Sequence, residues 1–130
     1  SPRSFVRVAD ERAWDWAELR RGLAAGEVTV AAGALVTAAL AGPATASVPV
    51  HVRVQAPPWA RVERLRVYAG REATVDLALG ASSDPVRFDD VIDVPLLGAR
   101  FVVVRADGMS APSPIQHFEP VGVTNPLWLP

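Results

Sequence analysis

Val48, Val50, Val52 and Val54 alternate strictly with Pro49, His51, Arg53 and Gln55. A period of two places all four valines on one face of an extended strand and their polar partners on the other. Pro57 and Pro58 end that run, and beyond them Leu65, Val67 and Ala69 alternate with Arg64, Arg66 and Tyr68. Two half-buried strands around a proline corner restrict the chain to antiparallel sheet, one face on a core and one in water.

The remaining residues extend the same pattern. Phe5, Val6 and Val8 predict a short strand over residues 4–8. Asp15 with Glu18 three residues on has the spacing of a helix capping box. Trp16, Leu19 and Leu23 follow as an apolar stripe, Ala24 widens it, and Gly26 stands where a terminating glycine belongs. One helix is therefore expected over about 15–25, with Trp16 in the core. Residues 27–31 and 35–40 predict two strands parted by Gly33, and Gly70 predicts the hairpin between the Leu65 strand and one through Ala73, Val75, Leu77 and Leu79. Val86 and Phe88 open a strand that resumes at Ile92 and Val94, with a β-bulge expected near Asp89 and Asp90. Residues 101–104 are apolar on both faces and belong in the middle of a sheet. The proline-rich tail leaves room for short edge pieces around 116–118 and 126–129. About seven or eight strands with closely spaced turns match an immunoglobulin-like antiparallel β-sandwich carrying one N-terminal helix.

With 130 residues the chain is one domain, and a net charge of −1 with half the residues apolar fits a soluble globular protein and points to neither disorder nor a nucleic-acid binder. All 13 basic residues are arginine, which reflects codon usage more than function. Cysteine is absent, so neither disulfide nor thiolate chemistry is available and the compartment stays open. No apolar run approaches the ~18 residues of a membrane span, and no signal peptide is present. The chain starts at Ser1 directly on a strand-like pattern, as a fragment of a longer protein would.

Specific segments carry a resemblance. PRSFVRV at the N-terminus, LRRGLAAGEVTV in and after the helix, the QAPPW corner with VERLRVYAG, and the terminal VTNPLWLP stand in the order found in one family. The chain resembles the C-terminal β-sandwich domain of PHP-type (polymerase and histidinol phosphatase) metallohydrolases of the CehA/McbA, or carbaryl hydrolase-like, family. The resemblance implies a PHP catalytic domain in cis, preceding Ser1, which would hold the His and Asp/Glu metal ligands. None of those ligands is expected in this chain, and neither is a cofactor. Where the family's helix-to-strand turn reads like Thr-Asn-Gly-Pro, this chain has Ala31-Ala32-Gly33-Ala34, so any polar contact of that turn is lost here.

Candidate chemistry is sparse. Asp89, Asp90 and Asp93, with Asp84 nearby, are a weak calcium candidate, since a hard cation needs several loop oxygens. Asp89 and Asp90 fall on opposite faces by alternation, which favours a solvated bulge. His51 and His117 are the only histidines and make poor zinc material. Ser110 and Ser113 near His117 lack the Gly-x-Ser-x-Gly elbow of a hydrolase nucleophile. Arg53, Arg64 and Arg66, flanked by Arg61 and Arg71, could form an outward stripe for a phosphate or acidic partner; pairing with Asp76, Glu63 or Glu72 is the favoured reading. Trp14, Trp59, Trp128 and Tyr68 are candidates for an interface, or for a sugar platform if Trp59, Trp128 and Tyr68 share one exposed face. No catalytic residue is expected. The expected role is a non-catalytic accessory domain of a metal-dependent hydrolase, with a homo-oligomer as another partner arrangement. An autonomous carbohydrate- or ligand-binding module is the alternative.

Overall fold

A computed structural model describes residues 2–109 and 119–130. The elements run β1 (Arg3–Val6), α1 (Trp16–Ala24), β2 (Val28–Ala32), β3 (Leu35–Leu40), β4 (Ser47–Gln55), β5 (Arg64–Ala69), β6 (Glu72–Ala78), β7 (Val86–Pro95), β8 (Phe101–Asp107), β9 (Val121–Thr124) and β10 (Leu127–Trp128). They form two antiparallel sheets. The large one has the order β1-β2-β9-β8-β5-β6, and the small one β3-β4-β7. β10 follows β9 along the same side of β8, pairing at Phe101 and Val102 where β9 pairs at 105–107.

Alternation in the sequence becomes the core. Val48, Val50, Val52 and Val54 of β4 are 0% exposed, and so are Leu65 and Val67 of β5 and Val102, Val104 and Ala106 of β8. Val36 and Val94 complete the small sheet's inner face. β8 lies between β5 and β9, as its two apolar faces predict.

Between β2 and β3 the chain leaves one sheet and enters the other. Gly33, at φ 76, makes the turn and bridges to Val121. Directly beside it, Gly122 of β9 carries no side chain; a Cβ there would stand 2.5 Å from the Ala34 carbonyl oxygen and 2.8 Å from Val36 Cγ2. The crossover closes on β9 because both positions are glycine.

Several expectations need correction. The tail holds β9, an interior strand between β2 and β8 and not an edge piece. Its Val-Gly-Val-Thr run is too short, and too diluted by glycine, to show a period. The 116–118 piece lies outside the described residues. β7 runs unbroken through Asp89 and Asp90, and the register slips at Arg87 instead, between the Val54–Phe88 and Gln55–Val86 pairs. Trp16 is 69% exposed and Leu23 51%, so the helix stripe does not enter the core. The helix docks instead through Gly22, its buried residue, against Val6 and Arg7. The cap itself is half as expected. Asp15 accepts from the Glu18 N–H at 2.8 Å, while the Glu18 carboxylate accepts from the Ala9 N–H at 2.6 Å and not from Asp15.

The sheets differ in width. β3 packs across β2, β9 and β8, and β1 lies beyond it. Phe5 pairs with Thr29 and Thr29 with Thr124, whose hydroxyl accepts from the Val104 N–H at 3.0 Å. That row puts Phe5 on the core side of the large sheet, yet among the described residues no strand of the small sheet lies opposite, and Phe5 is 47% exposed. The wide sheet overhangs the narrow one.

Candidate functional site

The overhang makes a step. Its floor is the core-side face of β1 and β2, with Arg3, Phe5 and Ala31; its wall is Leu35 with Gln55, Ala56, Pro57, Trp59 and Pro85. The cleft so formed measures ≈ 640 Å³. The proline corner builds the wall. Pro57 carries the chain out of β4, the Ala60 N–H donates to the Pro57 carbonyl at 3.0 Å, and Arg87 Nη2 donates to the same oxygen at 2.6 Å. The bulge at Arg87 thus has a purpose, because it aims that guanidinium at the corner. Trp59 is 39% exposed at the rim. The 31–34 turn is part of the cleft. Apolar side chains dominate the lining, and Arg3 is its one charged member.

The arginine candidates are not one stripe. Arg53 lies on the outer face of the small sheet, whereas Arg64 and Arg66 lie on the outer face of the large one, across the sandwich. Each is paired. Arg64 clamps Asp76 in a bidentate pair, Nε to Oδ1 at 2.7 Å and Nη2 to Oδ2 at 2.9 Å. Arg66 Nη2 and Arg105 Nε converge on Asp107 Oδ2 at 2.6 and 2.8 Å. Arg53 Nε stands 3.7 Å from Asp89, which also holds His51 Nε2 at 2.6 Å. The expected partner Asp76 is therefore right for Arg64, while Arg53 and Arg66 use carboxylates that alternation alone does not single out.

The hydrogen bond from Arg64 holds the Asp76 carboxyl below the usual carboxylate range, and the nearby guanidinium charge adds to it; Arg64 is raised in turn. A depressed carboxyl stabilises the fold above its unfolded pKa of ~3.9, and the contribution disappears as pH falls through the lower folded value. Asp76→Asn should therefore melt slightly below the parent at neutral pH, and the gap should close as the pH is lowered through the carboxylate range. Thermal melts across that range check it. Both partners are well exposed, so the gap is small throughout.

The aspartates expected as a calcium candidate do not converge. Asp89 is taken by His51 and Arg53, Asp93 accepts from the Ser47 hydroxyl at 2.8 Å, and Asp90 pairs opposite Val52 on the other face. Among the described residues no group of His, Cys, Asp and Glu is arranged to hold a metal ion. Ser110, Ser113 and His117 lie outside the described residues.

The aromatic candidates separate into three places. Trp14 stacks edge-on against Trp16 with centroids 5.7 Å apart, near the helix start. Trp128 stacks on Phe101 at 5.0 Å, at the β8–β10 pair. Tyr68 shares the outer face of the large sheet, paired opposite Val103. Trp59 stands in the step with Phe5. Trp59, Trp128 and Tyr68 therefore do not form the single flat platform a sugar would need. The step itself was missed from sequence, because each lining residue is ordinary and only the unequal sheet widths bring them together. No family model, curated protein or solved structure matches the chain.

Proposed function

We propose that the chain is a non-catalytic accessory domain that docks on a PHP-type metal-dependent hydrolase domain through the step beneath β1. The observation that carries this is the convergence of Phe5, the 31–34 turn and Trp59 in one apolar cleft. Phe5 and Trp59 come from the N-terminal strand and the proline corner, two of the segments on which the resemblance rests, whereas the 31–34 turn is where the chain departs from the family's pattern. A half-exposed phenylalanine and a partly exposed tryptophan lining one apolar cleft have the character of an interface core. The strand order is the support for reading the sandwich as immunoglobulin-like. Lettering β3, β4 and β7 as A, B and E leaves β6, β5, β8 and β9 as C′, C, F and G. β1 and β2 are then an addition beside G, and they create the step.

Titration calorimetry of the chain against a separately produced PHP-type hydrolase domain tests the proposal. Saturable binding is expected, weakened roughly tenfold or more by Phe5→Ser with Trp59→Ala, about 1.4 kcal/mol or more. Absence of binding at about 100 μM, or binding indifferent to both substitutions, contradicts it. Hydrolase activity of the chain by itself, insensitive to chelator, would contradict the accessory role.

A further inference from the structure

We infer that β3, unpaired on one side among the described residues, receives one extended polypeptide segment from the partner, added as a fourth strand to the small sheet under β1 and reaching the cleft at the Leu35 end. The inference names the form the partner takes at the docking surface proposed above, and it rests on that reading for the partner's identity.

The backbone geometry identifies the edge. The Ala41 N–H donates to the Pro49 carbonyl at 2.8 Å, one register position beyond the Leu40–Val50 pair. Antiparallel ladders alternate bonded and non-bonded pairs. Leu35, Thr37 and Ala39 share the parity of Ala41 and turn their backbone groups toward β4. Val36, Ala38 and Leu40 turn theirs the other way, away from β4, and among the described residues no strand pairs with that side; only Leu35, at the start of β3, also lines the cleft.

Among the described residues, β7, β6 and β1 are less suited to strand addition, and β10 is only two residues long. β7 carries Asp89, Asp90 and Asp93, ends in Pro95 and contains the bulge at Arg87. Asp90, opposite Val52 on the core-side face, is an inward-pointing edge charge of the kind that prevents strand addition. β6 carries Glu72 and Asp76, with a register slip against β5. β1 is four residues long and begins at Arg3. β3, Leu-Val-Thr-Ala-Ala-Leu, has no charge, no proline and no slip against β4. A long, regular, uncharged edge is a template for pairing.

The shape selects the occupant. Strands in a sheet are spaced ~4.8 Å apart, so a strand beside β3 lies beneath β2 and β1, where Phe5 is half-exposed. A second copy does not fit. In the two-fold antiparallel pairing of β3 with β3, both large sheets lie on the same side, and the two overhangs collide. The occupant is therefore a single segment, with an apolar side chain over Phe5 and Ala31. Arg3, the charged member of the lining, makes no ion pair among the described residues and calls for a carboxylate on that segment.

The test needs only this chain and a capped synthetic peptide of about eight residues, alternating valine and threonine with one glutamate. Amide NMR during titration should show saturable shifts and slowed exchange at Val36, Ala38 and Leu40, with the Leu35, Thr37 and Ala39 amides little changed. N-methylation of alternate peptide amides should abolish binding for one set of positions and spare it for the other. Arg3→Glu should weaken binding several-fold without touching β3. No shift at about 1 mM peptide, shifts centred on Tyr68, Val103 and Trp128, equal tolerance of both methylation patterns, or dimerisation of the chain through β3 would each overturn the inference. If the peptide fails and the hydrolase domain still binds, strand addition falls and docking stands; the opposite result removes the docking reading alone.

Discussion

Leu65→Ala lowers the unfolding free energy by about 2–5 kcal/mol, the range for truncating a buried leucine where the surroundings cannot collapse. Leu65 is the largest of the fully buried side chains. It stands between Leu77 and Ala106 in the large sheet, at the centre of the inner face that meets the β4 valines. Its neighbours are held in register from both sides, which limits relaxation into the space left behind. Urea titration reads the loss as a lower midpoint with an unchanged slope. Leu97→Ala is the contrast, since Leu97 is 77% exposed and should change stability by less than about 0.5 kcal/mol. Equal effects of the two substitutions would mean that the core is not where the alternation places it.

Gly122→Ala has the second large effect, about 1–3 kcal/mol or more by overpacking. The added methyl would meet the Ala34 carbonyl oxygen at 2.5 Å and Val36 at 2.8 Å. Neither can yield alone, because Ala34 is buried in the crossover and Val36 is fixed in the small sheet. The strain must push β3 away from β9, which distorts the step from its wall side. Loss of stability should therefore come with loss of binding to the hydrolase domain, whereas Leu65→Ala should spare binding in the fraction that remains folded. Calorimetry at low temperature, with folding followed by circular dichroism, separates the two. Normal stability with Ala at 122 would contradict the close approach of crossover and β9.

The sandwich is legible in the sequence where alternation is long. Val48 to Val54, and Leu65 to Ala69, show a period over enough residues to fix the buried face, and the buried sides fall as the pattern requires. β9 is illegible because Val121, Gly122, Val123 and Thr124 span a single repeat, and its interior position depends on β2, nearly a hundred residues earlier in the chain. Helix α1 shows the limit of period alone. The spacing of Trp16, Leu19 and Leu23 fixes a helix but not which side docks, and a short approach through Gly22 turns the tryptophan outward. The arginines repeat the lesson. Alternation correctly sends Arg53, Arg64 and Arg66 outward, yet outward from β4 and outward from β5 are opposite directions once the corner has carried the chain to the other sheet. The step has no local signature, being a consequence of how many strands each sheet has.

Hydrogen–deuterium exchange on the chain, alone and mixed with a PHP-type hydrolase domain, tests the proposed docking surface most directly. Slowed exchange in β1, in the 31–34 turn, along the free side of β3 and around Trp59, with the outer face at Tyr68 and Trp128 unchanged, is the predicted result. Protection centred on Trp128 and Phe101, or no protection at all, would contradict it.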